Sequence, residues 1–149
     1  MTGRTLSMTT PAVVPVVTRA GSLDETTLQS GECVRRSGVS PQNSPATKIW
    51  FGRVSNGPGH RSPPHHHEEC ETGGYVLKGH GRIYFGADYA EFIDLFEGDF
   101  VFVPPFMPHV EVNMSTTDEL VWLTCRTPDN LVTNLPDVPD TALEGFRRA

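Results

Sequence analysis

Apolar residues recur at every second position along the middle of the chain. Phe100 and Phe102 alternate with Val101 and Val103, and Val110 and Val112 alternate with His109, Glu111 and Asn113. Leu120 and Trp122 alternate with Val121 and Leu123, while Phe92, Asp94 and Phe96 alternate with Glu91, Ile93 and Leu95. A period of two belongs to a β-strand, whose successive side chains point to opposite faces. Each run is closed by turn chemistry: Asn56-Gly57-Pro58-Gly59, Gly79-His80-Gly81, Gly86-Ala87-Asp88, Glu97-Gly98-Asp99 and Pro104-Pro105. About seven or eight short strands separated in this way predict an all-β sandwich or barrel. One short helix is predicted near the C-terminus, where Thr141-Ala142-Leu143-Glu144 has capping-box spacing and Phe146, Arg147 and Arg148 follow. The Phe and Trp stripes read as barrel filling, with Trp50, Phe106 and Phe102 as candidates for lining a cavity.

Composition sharpens the boundaries. Twelve of the thirteen aromatic residues lie between Trp50 and Trp122, whereas the first 45 residues contain no aromatic, His or Lys and thirteen Ser or Thr. Such a stretch buries little apolar area against its ordering entropy. The reading is therefore an N-terminal arm over residues 1–45, a barrel over 46–127 and a C-terminal tail over 128–149. Within the arm, Ala12–Thr18 is expected as one strand that needs a sheet edge to pair with, which favours a homodimer. The net charge of −6 and the scattered arginines argue against nucleic acid as a partner. The apolar run Ala12–Val17 is broken by Pro15 and is too short for a signal segment or a membrane span, so a cytoplasmic protein is expected. Three Cys at unpaired spacing suggest no disulfide framework: Cys70 reads as a small buried residue, Cys125 as core and Cys33 as part of the arm.

All six His lie between His60 and His109. On a strand, His65 and His67 face one side together, while His66 faces away. Pro63 and Pro64 stiffen the approach in an extended form. Two imidazoles on one face, a carboxylate four residues beyond the second, and a later His on a neighbouring strand can converge on one cation. That later residue is His109, behind Pro104, Pro105 and Pro108. His80, between two glycines of a turn, reads as a surface residue.

These residues resemble a known family. Gly59, His65, His67 and Glu71 resemble the first cupin motif, and Gly98, Pro104, His109 and Asn113 the second. The resemblance implies a double-stranded β-barrel of jelly-roll type holding one divalent transition metal through His65, His67, Glu71 and His109. Aligning Tyr75–Gly79 on the family strand puts the carboxylate slot on Thr72, which leaves Glu71, Glu69, His60 or a water as the fourth ligand. In the second motif Phe106 stands where the family carries Gly. Zinc is favoured, with Fe(II), Mn or Ni as alternatives.

Glu111 lies two residues after His109, on the same strand face, and is expected to point into the cavity. Burial against an apolar wall would raise its carboxyl pKa and suit it to general-base work beside His109; the alternative is a charge on the rim with no chemistry. The stretch His65–Leu77 and the run Phe100–His109 are similar to small cupin polyketide cyclases. That similarity implies an enzyme acting on a small carbonyl-rich molecule by metal-assisted aldol closure. An Fe(II) or Ni dioxygenase or isomerase, and a non-catalytic small-ligand binder, remain as alternatives.

Overall fold

The structure, a computed structural model, describes residues 14–149. The period-two runs fold as strands. They are β1 (Cys33–Val39), β2 (Trp50–Asn56), β3 (His65–His66), β4 (Glu71–Lys78), β5 (Gly81–Phe85), β6 (Glu91–Leu95), β7 (Phe100–Val103), β8 (Val110–Asn113), β9 (Leu120–Thr127) and β10 (Thr133–Asn134). An antiparallel sheet in the order β1-β2-β9-β4-β7 accompanies a smaller sheet in the order β6-β5-β8, and β10 pairs with β3. Bridges from Arg61 to Val112 and from His65 to His109 tie the approach to β3 onto β8. The architecture is the expected all-β double-stranded barrel. No helix among the described residues is long and apolar enough to cross a membrane.

Alternation decides what fills the interior. Along β9, Trp122, Thr124 and Arg126 are buried, while the intervening Leu123 and Cys125 are partly exposed. Trp50, Val54, Val76, Ile83, Leu95, Val103, Leu120 and Trp122 form the main apolar cluster. The Trp122 ring lies against the backbone of Gly81, where a Cβ would sit 2.6 Å from it, so only glycine fits beneath the indole. The aromatic stripe of β7 faces the other way from the expected filling. Phe100 is 80% exposed and Phe102 is also exposed, while Val103 is buried. Either set of alternate residues can face inward. Here valines serve, because two indoles and several long polar side chains already occupy the barrel. Phe102 and Phe106 are therefore not cavity walls, and Trp50 is a core residue.

Both flanking segments belong to the fold more fully than composition suggests. β1 lies inside the expected arm and pairs with β2 from Cys33↔Asn56 to Val39↔Phe51. The barrel thus begins at residue 33 and not at 46, and Cys33 is buried in the core. Composition underrates this segment because β1 is held by backbone pairing and by inward polar residues, which an apolar count does not register. Of the expected Ala12–Thr18 strand, Ala12 and Val13 lie outside the described residues. The remainder forms no strand, and Val14, Val16 and Val17 are exposed.

The C-terminal segment covers the outer face of the small sheet. Leu143 is 2% exposed and packs with Tyr84, Val110 and Val112, flanked by Val138 and Phe146. Arg61 fastens the segment by donating to Asp140, Asp137 and the Val138 carbonyl. The expected helix is one 3₁₀ turn over Asp140–Ala142, preceded by Pro139 without a side-chain cap. Thr141 lies inside the turn, where its hydroxyl cannot cap, and Gly145 at φ +81 redirects the chain. Leu143→Ala should cost roughly 2–5 kcal/mol of stability, the usual penalty for emptying a buried leucine site. Denaturant unfolding measures it; a change below about 0.5 kcal/mol would show that the segment is not part of the core.

Candidate metal centre

Pro63 and Pro64 deliver an extended chain to β3, and His65 there exchanges both backbone hydrogen bonds with His109 at 3.0 Å. That reciprocal pair places the two imidazoles side by side, with ring centroids 4.3 Å apart. Glu68 then takes a left-handed φ of 54 and turns the chain back. The turn leaves the His67 ring 4.9 Å from His65 and 5.3 Å from His109, centroid to centroid. All three rings are buried.

Each ring is oriented by its other nitrogen. Nδ1 of His65 faces the Pro63 carbonyl at 3.0 Å, Nδ1 of His67 faces that of Leu131 at 2.9 Å, and Nδ1 of His109 faces that of Met107 at 2.9 Å. A carbonyl only accepts, so Nδ1 carries the proton in all three, and each Nε2 presents a lone pair to the interior. Burial holds all three pKa values below the ordinary value of 6.5, so the rings are neutral. For His67 the neighbouring Arg126 adds to burial, whereas for His109 the Glu111 charge partly opposes it.

Glu111 completes the group. Its Oε2 lies 3.9 Å from Nε2 of both His65 and His109. The four ligand atoms of His65, His67, His109 and Glu111 all fall within 4.8 Å of one another. Glu111 is 9% exposed. Its backbone is fixed by Ser62, which accepts at Oγ from the Glu111 N–H at 3.0 Å and donates its own N–H to the Glu111 carbonyl at 2.9 Å. The Cys33 thiol points at Oε1, 3.8 Å away. Burial, and then the Glu111 charge, push that thiol's pKa up, so it stays protonated. Three neutral imidazole nitrogens and one carboxylate are a donor set suited to a divalent transition metal. The group can hold one.

The expected carboxylate ligand is Glu71, and the structure puts another in its place. Glu71 begins β4 facing solvent, opposite Thr127. Strand alternation turns Thr72 inward instead, with its Oγ1 buried and without a partner. Glu69 and His60 are exposed and stand outside the group. Glu111 faces the interior as expected, but it stands among the ligand atoms, in the role expected of Glu71. His66 turns away and sits beside Phe106, with ring centroids 5.7 Å apart. Phe106 itself adopts φ +58, the conformation that favours glycine. His80 bonds Asp94 at the surface.

Two residues at the centre escaped the sequence reading. Arg35 donates from Nη2 to Nε2 of His65 at 3.3 Å, and Arg126 donates from Nη2 to Nε2 of His67 at 3.0 Å. Both guanidinium groups are buried. Burial, and then the charge of Arg35, lower the Arg126 pKa to about 9. The signal available was β-strand parity: Cys33, Arg35 and Ser37 share one face of β1, and Trp122, Thr124 and Arg126 share one face of β9. The cavity that the centre opens onto measures ≈ 20 Å³, with Thr72, Val101, Val103, Trp122 and Thr124 in its wall. A larger cleft of ≈ 630 Å³ lies between the loop after β5 and the C-terminal segment, and none of the four ligand residues lines it.

The neutral imidazoles predict how stability depends on pH. The unfolded chain takes up protons as pH falls through about 6.5, and the folded chain does not. Stability of chelator-treated protein should therefore be full above that value and fall below it, by about 1.4 kcal/mol per pH unit for each histidine. Urea unfolding between about pH 8 and 5 tests this; His67→Gln should remove one histidine's share of the slope, and an unchanged slope would contradict the assignment.

Comparison with known proteins agrees with the geometry. The family model described as the cupin domain matches residues 52–125. No curated protein matches the chain in sequence. Among solved structures, the polyketide cyclase RemF from Streptomyces resistomycificus superposes with a TM-score of 0.68 at 20% identity, covering 89% of this chain and 96% of that one. A protein with a double-stranded β-helix domain from Klebsiella pneumoniae superposes at 0.60 and 16% identity, covering 76% and 92%. The oxalate decarboxylase of Bacillus subtilis superposes at 0.62 and 24% identity, but the 76% of this chain that aligns spans only 31% of that one. At these identities the likenesses speak for the fold. The matched domain model covers β3 to β8, most of β2 and β9, and the three histidines, and on that match this chain belongs to the cupin superfamily.

Proposed function

We propose that the protein is a metal-dependent enzyme that closes a ring in a small carbonyl-rich substrate, the chemistry of a polyketide cyclase. The observation that carries this reading is the convergence of three neutral imidazoles and Glu111 in the barrel interior. The likeness over 89% of this chain to a polyketide cyclase that is itself covered to 96% supports it. A divalent ion, zinc in first place, would supply Lewis acidity toward a carbonyl oxygen.

The chain's own residues supply the rest. His65, His67 and His109 would hold the ion through Nε2, and their orientation is fixed from behind by backbone carbonyls. Glu111 Oε1, which faces the weak thiol donor of Cys33, would take a proton from the carbon between two carbonyls. Ring closure then forms one carbon–carbon bond, and the proton passes to the former carbonyl oxygen. Loss of water follows. The sequence needs no oxidant. The valine and indole walls exclude bulk water from the enolate.

The purified protein should contain close to one equivalent of divalent metal, and incubation with a nascent poly-β-keto chain should shift the products toward a ring-closed aromatic. His65→Ala and His109→Ala should lose the metal. Glu111→Gln should lower the rate by roughly 10²–10⁴-fold, the usual share of a positioned base. Unchanged product spectra with and without protein would overturn the cyclase reading, and Fe(II)-dependent oxygen uptake on a β-diketone would replace it with a dioxygenase.

A further inference from the structure

We propose that Arg35 and Arg126 form a second subsite beside the metal ligands, one that binds a small planar oxyanion such as a carboxylate or a β-dicarbonyl enolate. The proposal rests on the reading that the histidine group holds a metal, and it names the charge state in which the substrate is bound. Arg35 is 0% exposed and Arg126 is 2% exposed. Neither position is dictated by surface pairing, because both are the inward residues of their strands.

The donors of the two side chains divide in the same way. Nη1 serves the scaffold: that of Arg35 donates to Ser30 Oγ at 3.0 Å and to the Leu28 carbonyl at 3.5 Å, and that of Arg126 donates to Asn130 Oδ1 at 3.0 Å. Nη2 donates to a histidine Nε2. Nε has no partner in either residue, although it is buried. Nε and Nη2 form one edge of a guanidinium, the side-on fork that matches the two oxygens of a carboxylate. On that edge each arginine thus has one buried donor without a partner and one resting on a lone pair that a metal would take. A metal on His65 and His67 competes directly for those lone pairs and releases both Nη2 groups.

Charge points the same way. Glu111 is the one carboxylate in the cavity wall among the described residues. Two guanidinium charges against one carboxylate leave the interior net positive, and a divalent cation adds two more. Buried charge without a partner is costly, so an anion completes the loaded site. A purely structural role for the arginines would need only the Nη1 contacts.

The test uses zinc-loaded protein and isothermal titration calorimetry, with malonate as the probe, malonamide as its neutral counterpart and acetylacetone as the enolate-forming probe. Zinc uptake is measured first; no uptake overturns the metal centre and this subsite together. Malonate or acetylacetone should bind at least about tenfold more tightly than malonamide, and chelator-treated protein should bind the anion more weakly than loaded protein. Arg35→Met and Arg126→Met should each lower anion affinity by roughly ten- to a hundredfold, the range of a charge-assisted hydrogen bond, with zinc affinity unchanged or higher. Preference for malonate or for acetylacetone identifies the carboxylate or the enolate as the ligand. Equal binding of malonamide and both anions overturns the proposal without any variant, so it stays testable if a variant fails to fold. Folded variants that bind the anions like the parent, or that lose zinc, also overturn it. A protein that discriminates the anions through its arginines but leaves a polyketide chain unchanged keeps the subsite and removes the cyclase reading.

Discussion

Three imidazoles present the same nitrogen to one point because three backbone carbonyls hold the other nitrogen. Those carbonyls belong to Pro63, Met107 and Leu131, each in a different stretch of chain. The centre is therefore assembled only when the approach to β3, the loop before β8 and the segment after β9 are all in place. This explains why the C-terminal residues cannot be accessory. Leu131 orients His67, β10 pairs with the strand carrying His65 and His66, and the residues beyond them seal the outer face of β8. The reciprocal hydrogen bonds between His65 and His109 make the spacing of that pair a property of the backbone, not of side-chain choice.

The same constraint shapes the electrostatics. An unpaired buried donor is costly, so the two guanidinium groups draw on the acceptors that the interior offers. The histidines serve as acceptors for the guanidinium groups because burial keeps them neutral, and the guanidinium charges reinforce that neutrality at His65 and His67. Trp50 insulates the arrangement on one side, with the Arg126 guanidinium 5.5 Å from its ring centroid. Neutral imidazoles with lone pairs directed inward are also the state a metal needs, so a ligand set poised for coordination follows from the demands of packing polar groups in this interior.

The fold was largely legible, and the reason is local. A period-two apolar pattern closed by Gly, Asn and Pro turns is a backbone instruction that survives without tertiary knowledge. His65, His67 and His109 were legible through spacing around those turns. The carboxylate was not, because choosing between Glu71 and Thr72 depends on strand register, and a shift of one residue exchanges inside for outside. Glu111 shows the converse, since its parity with His109 within one short strand fixed its direction. β1 was hidden because its inward face, Cys33, Arg35 and Ser37, is polar and gives no hydrophobic period. Inward arginines make sense only once the histidines that accept from them are known to lie opposite.

Size limits what can react. A cavity of ≈ 20 Å³ has room for about one water. The carbon and carbonyl that the proposed closure brings to Glu111 and the histidines therefore need more room than the cavity has as it stands. The walls give little: Val101 and Val103 are locked in β7 by pairing with β4, and Trp122 is wedged over Gly81. Arg35 and Arg126 are each tied to the scaffold through Nη1, and the donor that a ligand can displace is Nη2, which rests on a histidine lone pair. A metal on those histidines would take the same lone pairs, so the room a bulky substrate needs would be contested at the two hydrogen bonds that now fill the interior.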